Sequence, residues 1–286
     1  MILLCNGKIS ASIKPFGAEL TSLRDKISGL EYIWQAGAEW PKHSPVLFPI
    51  VGSLKNGKYF YDDSEFALER HGFARNLHFQ IGELNDSSVT FKLINDDDSV
   101  KIYPFKFELE VTYHLQENGL EVIYIVKNTD SKELLFSIGA HPAFKVPLTD
   151  EHSYDDYFLE FSEDEDASVW PLDNGLLAEK SIPFFKGNKL PLKKSLFDKD
   201  ALVFKNLKSE QISIKNVKDS HGMDFLFKGY PFFGIWAAKG ADFVCLEPWH
   251  GVTDSVNASG YMKDKDGILS LQPGNFFSCS WSVNLF

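Results

Sequence analysis

Apolar and polar residues alternate with a period of two along much of this chain, and turn residues cut the alternation at short intervals. The clearest run is Phe107 to Leu115, where Phe107, Leu109, Val111, Tyr113 and Leu115 share one face and Glu108, Glu110, Thr112 and His114 the other. Such a run is a half-buried antiparallel strand. Gln116-Glu117-Asn118-Gly119 and a second run, Leu120 to Lys127, follow it. Asn and Gly tolerate positive φ, so the pair of runs predicts a hairpin. Similar runs recur at 9–13, 79–84, 89–94, 134–140, 157–161, 211–215, 223–227, 243–246 and 276–283. Short strands at this spacing predict an all-β sandwich or barrel-like sheet. The composition agrees, since 25 Phe against 3 Met favours pleated, half-buried surface. No sustained helical period and no fixed repeat competes with this reading. The acidic runs Asn95–Asp98 and Glu163–Asp166 read as solvated loops, and Lys186–Lys199 as a surface excursion. With no linker composition to divide the chain, residues 1–286 are expected to form a single domain.

Charge and termini limit the partners. Forty acidic residues against 29 basic ones give a net charge of -11. Neutralising phosphates along a polyanion needs the opposite surplus, so nucleic acid is not an expected partner. Nowhere do 18 consecutive apolar residues occur, so no membrane span is expected. The apolar start, Met1 to Cys5, is too short for a signal-peptide core. Cys5, Cys245 and Cys279 form no CxxC pair and leave an odd thiol. A reducing, cytoplasmic location is the expectation, without a disulfide framework or a Cys-based zinc site.

Two segments place an ionisable group before proline at the end of an apolar run: Leu134 to Pro142, with His141, and Phe243 to Trp249, with Glu247. Proline biases the preceding residue to extended backbone, so both should prolong their strands with a fixed side-chain direction. By parity His141 shares a face with Ser137 and Gly139, whose small side chains would leave open volume beside the imidazole. Each also fits a structural role, a hydrogen-bonding His or a solvated Glu. The apolar run before Glu247 favours partial desolvation and a raised pKa, which suits a general base.

A third segment, Arg70-His71-Gly72-Phe73-Ala74-Arg75, holds two of the three arginines, Arg24 being the other. It reads either as an exposed basic turn or as a set of directional donors to hydroxyls or a phosphate. HExxH, GxSxG, a Walker loop and a strand-linked GxGxxG are all missing from the sequence. The remaining chemistry is acid/base work on an uncharged polar ligand.

Five segments in order then resemble one family: Gly17-Ala18-Glu19-Leu20-Thr21-Ser22-Leu23, Ser44 to Gly52, His71-Gly72-Phe73-Ala74-Arg75, Gly139-Ala140-His141-Pro142-Ala143-Phe144 and Leu246-Glu247-Pro248-Trp249. Together they look like the aldose 1-epimerase (galactose mutarotase) family, nearer to a bacterial branch than to the main galactose mutarotases. The resemblance implies a large twisted antiparallel β-sandwich, the galactose mutarotase-like supersandwich, with an open sugar-binding cleft. It implies no cofactor and no metal, a small-molecule sugar as partner, and a monomer or homodimer. By the same resemblance Glu247 is the catalytic base, His141 the catalytic acid and His71 a second active-site histidine. Arg75 matches a sugar-contacting arginine of a related sugar-phosphate branch. The substrate-binding aspartate is Asp200, with Asp198 as the alternative register. Trp249 either supports the apolar face of the sugar or belongs to the core.

Two departures bear on specificity. Lysines stand in Ser53 to Lys58 where main-branch members carry an Arg-rich turn, and Lys145 stands where Asn commonly follows the His-Pro-aromatic motif. Three functions remain open at this point: a hexose mutarotase, a hexose-6-phosphate mutarotase, and a non-catalytic carbohydrate-binding or sensing protein. A glycoside hydrolase using Asp200 and Glu247 is a more distant fourth.

Overall fold

The hairpin at Gln116–Gly119 forms, and a nine-stranded antiparallel sheet is organised around it. Gly119–Asn128 pairs with Phe107–Leu115, Leu120 lying opposite Leu115 and Asn128 opposite Phe107, and Phe276–Leu285 flanks it on the other side. The alternation dictates which face is buried: Phe107, Leu109, Val111 and Tyr113 are buried, while Glu108 and Glu110 lie on the outer face. There Lys92 bridges both glutamates at 3.1 Å, and Lys127 meets Glu108 at 2.7 Å. From edge to edge the strands are Ile182–Pro191, Tyr157–Val169, Gln211–Asn216, Met223–Leu226, Phe276–Leu285, Gly119–Asn128, Phe107–Leu115, Ser88–Ile94 and Gln80–Leu84.

A second, six-stranded sheet faces the first in this computed structural model, which describes residues 1–286. Its order is Leu202–Lys205, Phe232–Trp236, Phe243–His250, Ile138–Ala140 and Val46–Leu47, with Ala143–Lys145 also paired to Phe243–His250. Phenylalanines fill the space between the sheets. Phe225 of the first sheet meets Phe144 and Phe233 of the second, at centroid distances of 5.7 and 6.2 Å. The main core cluster contains 69 buried residues and draws on both sheets. This is the all-β antiparallel sandwich expected from the period.

Strand Phe243–His250 is buried at every position but its last. Alternation puts Val244 and Leu246 on one face and Phe243, Cys245, Glu247 and Trp249 on the other, the last two lining a cavity. That opposite face would lie open in a bare two-sheet sandwich, and here loops cover it. An apolar run ending in an ionisable residue is therefore the signature of a central strand roofed on both sides.

Three expectations are corrected. Leu134–Ala140 is two strands: Leu134–Phe136 pairs with Leu269–Leu271, whereas Ile138–Ala140 joins the six-stranded sheet. The break falls at Ser137, whose N–H bonds to Pro49 O at 2.7 Å. Lys186–Lys199 begins as the edge strand Ile182–Pro191, with lysines facing solvent and Lys189 bridging Glu160 at 3.1 Å. Edge lysines are a common guard against further strand pairing. The two acidic runs are not loops. Glu163–Asp166 lies within strand Tyr157–Val169, where Glu165 is buried and accepts the Ser209 N–H at 2.8 Å. Asp96 caps the short helix Asp97–Ile102 by accepting from Ser99 N at 2.7 Å.

Candidate active site

Glu247 and His141 meet at the inner end of a cavity of about 310 Å³ on the roofed face of the six-stranded sheet. His71, Arg75, Asp200 and Trp249 line the same cavity, so all six residues singled out in the sequence converge there. Asp198 is exposed and is not among the residues lining the cavity, whereas Asp200 is.

The inner pair is in direct contact: His141 Nε2 lies 3.3 Å from Glu247 Oε2, with both residues buried. Burial pushes the Glu247 carboxyl well above the usual carboxylate range; Arg70 opposes this, Asp200 adds to it, and Trp249 favours the charged form. Burial likewise pulls the His141 imidazole down to about 3, helped by the positive charges of Arg70, Arg75 and Lys42. Taking two opposite charges out of water costs more than a single contact returns, so at neutral pH the pair holds one proton and no net charge. Cys245, two residues before Glu247 on the same face, offers a third donor atom within 4.8 Å of the other two. Its thiol is pushed far up by burial. A cation there would have to displace protons from both thiol and carboxyl against that burial, and it would consume the lone pairs that proton transfer uses.

Trp249 is packed between two glycines. A Cβ on Gly139 would lie 2.6 Å from its ring, and one on Gly234 2.4 Å. The volume that the small residues before His141 were expected to leave open is therefore filled by this indole. Only 5% of Trp249 is exposed. It forms a wall of the cavity, with its N–H on the Glu247 side of the strand.

His71 has a left-handed backbone, φ 68°, followed by Gly72 at φ 70°. A bulky residue in that region costs of order 1–3 kcal/mol and persists only where its surroundings hold it. Here Gly52 N–H donates to His71 Nδ1 at 3.1 Å, and a Cβ on Gly72 would strike Phe48 O at 2.3 Å. The other ring nitrogen, Nε2, faces the Arg70 Nε–H at 3.2 Å, so the imidazole is oriented on one side by the Gly52 loop and on the other by the basic turn. The basic turn itself is tightly built: Arg75 Nη2 donates to Arg70 O at 2.6 Å, and Arg70 Nη2 approaches Asp200 Oδ1 at 4.0 Å. Asp200 also has positive φ, 95°, and its carboxylate accepts the Ala201 N–H at 2.7 Å.

Some lining residues escaped the sequence reading. Thr253 ties three loops together: its hydroxyl accepts from Ser53 N at 2.9 Å and donates to Gly175 O at 2.6 Å. Trp236 ends an apolar strand and reads as core. Trp40 sits among polar residues in a loop, and an indole in such a segment is the one signal that could have found it.

The site has a consequence for stability. His71, His141 and His250 are all lowered by burial, the last to about 4. In the unfolded chain imidazoles protonate near 6.5. Below that pH the unfolded chain takes up three protons that the folded chain refuses, so their stabilisation is complete above about 6.5 and is lost as pH falls. Glu247 acts oppositely, keeping a proton that the unfolded chain releases above about 4.5. Burial also lowers His43, so between these values the unfolded chain binds more protons than the folded one and stability falls as pH falls. Thermal midpoints measured from pH 7 to pH 5 should fall steeply; a flat profile would mean that the imidazoles are not held neutral.

Comparison with known proteins places this geometry. A model of the aldose 1-epimerase family matches residues 1–281. The chain is 35% identical over 297 residues to chromosomal protein LacX of Lactococcus lactis subsp. lactis, covering 99% of each chain. It superposes on a galactose mutarotase related enzyme from Lactobacillus acidophilus with a TM-score of 0.95 and 32% identity, over 100% of this chain and 97% of that one. A galactose mutarotase-like protein from Lactobacillus casei matches with a TM-score of 0.94 and 31% identity over the full length of both.

Proposed function

Since the chain belongs to the aldose 1-epimerase family, we propose that it interconverts the α and β anomers of a hexose by general acid/base ring opening, with Glu247 as base and His141 as acid. The observation that carries this reading is the 3.3 Å contact between Glu247 and His141 at the buried end of a polar cavity. In the opening step Glu247 removes the proton from O1 while C1–O1 becomes a carbonyl. The C1–O5 bond breaks, and O5 takes the proton from His141. Rotation about C1–C2 presents the other carbonyl face, and closure runs the same transfers backwards.

One proton thus shuttles within the pair. The cyclic sugar goes with carboxylate and imidazolium, the open chain with carboxylic acid and neutral imidazole. Burial favours the second arrangement, while hydroxyl donors from the bound sugar and the Arg70 charge favour the first. A reversible isomerase benefits when neither is a deep trap. His71, Arg75 and Asp200 hold the hydroxyls, and Trp249 closes the wall beneath them. Polarimetry on freshly dissolved α-glucose and α-galactose tests the reading. Accelerated equilibration is expected; calorimetric binding without acceleration would make the protein a carbohydrate binder or sensor instead.

A second reading, a hexose 6-phosphate as substrate, is favoured by one observation: Arg70 and Arg75 line the cavity of a strongly acidic protein, and the Lys42 charge reaches His141 as well. A charge-assisted hydrogen bond is worth about 1.5–3 kcal/mol, or roughly 10- to 150-fold. On this reading Arg75→Ala lowers kcat/KM for the 6-phosphate by that factor and for the free hexose far less. Equal rates on both sugars, together with indifference to Arg75→Ala, would remove it.

A further inference from the structure

The three indoles of the cavity are not equivalent. Trp249 is buried, with Gly139 against one end of its indole and Gly234 against the other, whereas Trp40 and Trp236 each keep part of their surface open to the cavity. These two meet edge to face, centroids 5.6 Å apart and planes at 73°, and form an apolar corner. His141 is part of the same cluster: Trp40 stacks on it at 5.0 Å and 25°, and Trp236 meets it edge-on at 5.6 Å. His71 also meets His141 edge-on, at 5.6 Å, and leads to the polar part of the wall at Arg70 and Asp200. The cavity is therefore two-sided in character, aromatic toward the Trp40 loop and polar toward the basic turn, with the acid/base pair between.

The corner is held before any ligand arrives. Trp34 Nε1 donates to Trp40 O at 2.9 Å. The N–H groups of His43 and Ser44 donate to the buried Glu19 carboxylate at 2.7 and 3.0 Å, and Ala143 N donates to His43 O at 2.9 Å. Glu19 belongs to a segment of the family resemblance, and anchoring this loop gives it a purpose. A pyranose ring has the matching asymmetry, a rim of hydroxyls and a face of C–H groups, and C–H faces rest on aromatic surface with little reorganisation when that surface is fixed.

We propose that the Trp40–Trp236 corner is a pyranose-binding platform: it receives the apolar face of the sugar ring and so turns the C1–O5 bond toward Glu247 and His141. This rests on the mutarotase reading for its substrate class. Calorimetric titration of hexose and steady-state mutarotation kinetics test it on Trp40→Leu, Trp40→Phe and Trp236→Leu. Each Leu variant is expected to raise both the dissociation constant and KM about tenfold with kcat changed less, and Trp40→Phe to stay within about threefold of wild type. Unchanged binding in both Leu variants, or a fall in kcat at constant KM, would overturn the platform, the latter because Trp40 would then act through His141. The two proposals fail separately. A wild-type protein that binds hexose without accelerating mutarotation leaves the platform and removes the enzyme. Normal turnover with unaltered KM in the Leu variants does the reverse.

Discussion

Glu247→Gln should lower kcat for anomer interconversion by about 10²- to 10⁴-fold while leaving KM within a few-fold of wild type. The substitution keeps the volume of the side chain and removes only its ability to accept a proton. It should also leave the fold intact, for a reason specific to this site. The native carboxyl is already held in its neutral form by burial, so a neutral amide adds no desolvation cost that the protein does not already carry. The thermal midpoint at pH 7 should therefore hold or rise, because the amide also removes the cost of keeping a proton that the unfolded chain releases, and polarimetry alone should register a loss. Activity within threefold of wild type would remove Glu247 from the chemistry. A collapse in stability with no separate effect on turnover would make it a structural residue.

The contrast between a silent fold and a silenced reaction follows from how the sequence encodes each. Period-two alternation gave the strands because burial of one face is a local, repeated signal, as in Phe107–Leu115, whose buried face follows the alternation. Pairing was less legible. Ser137 splits an apolar run between two sheets because of a hydrogen bond to Pro49, 88 residues earlier in the chain, and no local pattern announces that. Acidic and basic runs misled for a related reason. Glu165 is buried through Ser209, and Lys189 lies on an edge strand, so composition alone could not tell a solvated loop from a strand with one wet face. At the site, His141 and Glu247 were visible because each stands between an apolar run and a proline, although Glu247 is interior to strand Phe243–His250 and His141 follows Ile138–Ala140. The contact between them, 3.3 Å from Nε2 to Oε2, was not visible, and it is the observation on which the proposed single-proton exchange rests. Trp40 was invisible because its role depends on what a loop covers.

That shared proton makes a second prediction as large as the first. His141→Asn should cost about 10²- to 10⁴-fold in kcat, as Glu247→Gln does, yet the double variant should be no worse than the weaker single variant by more than about threefold. Groups that act independently multiply their effects, since each stabilises the transition state by itself. Here the transfer to O5 and the transfer from O1 are two halves of one exchange. Without the base, the O1 proton has no acceptor on opening and no source on closure; without the acid, the carboxylate would have to generate an open-chain alkoxide in a buried site, which low local dielectric forbids. Either removal breaks the whole exchange, and the second removes little that is left. His71 stands nearby, held neutral by burial, and sits 5.6 Å from His141 between ring centroids. It leaves hydrogen bonding to the sugar in place in all three variants, so KM should stay comparable across the cycle. Polarimetric kcat values that multiply across the cycle would mean that the two residues serve separate steps, and the single-proton mechanism would have to be abandoned for one in which solvent supplies or removes a proton between them.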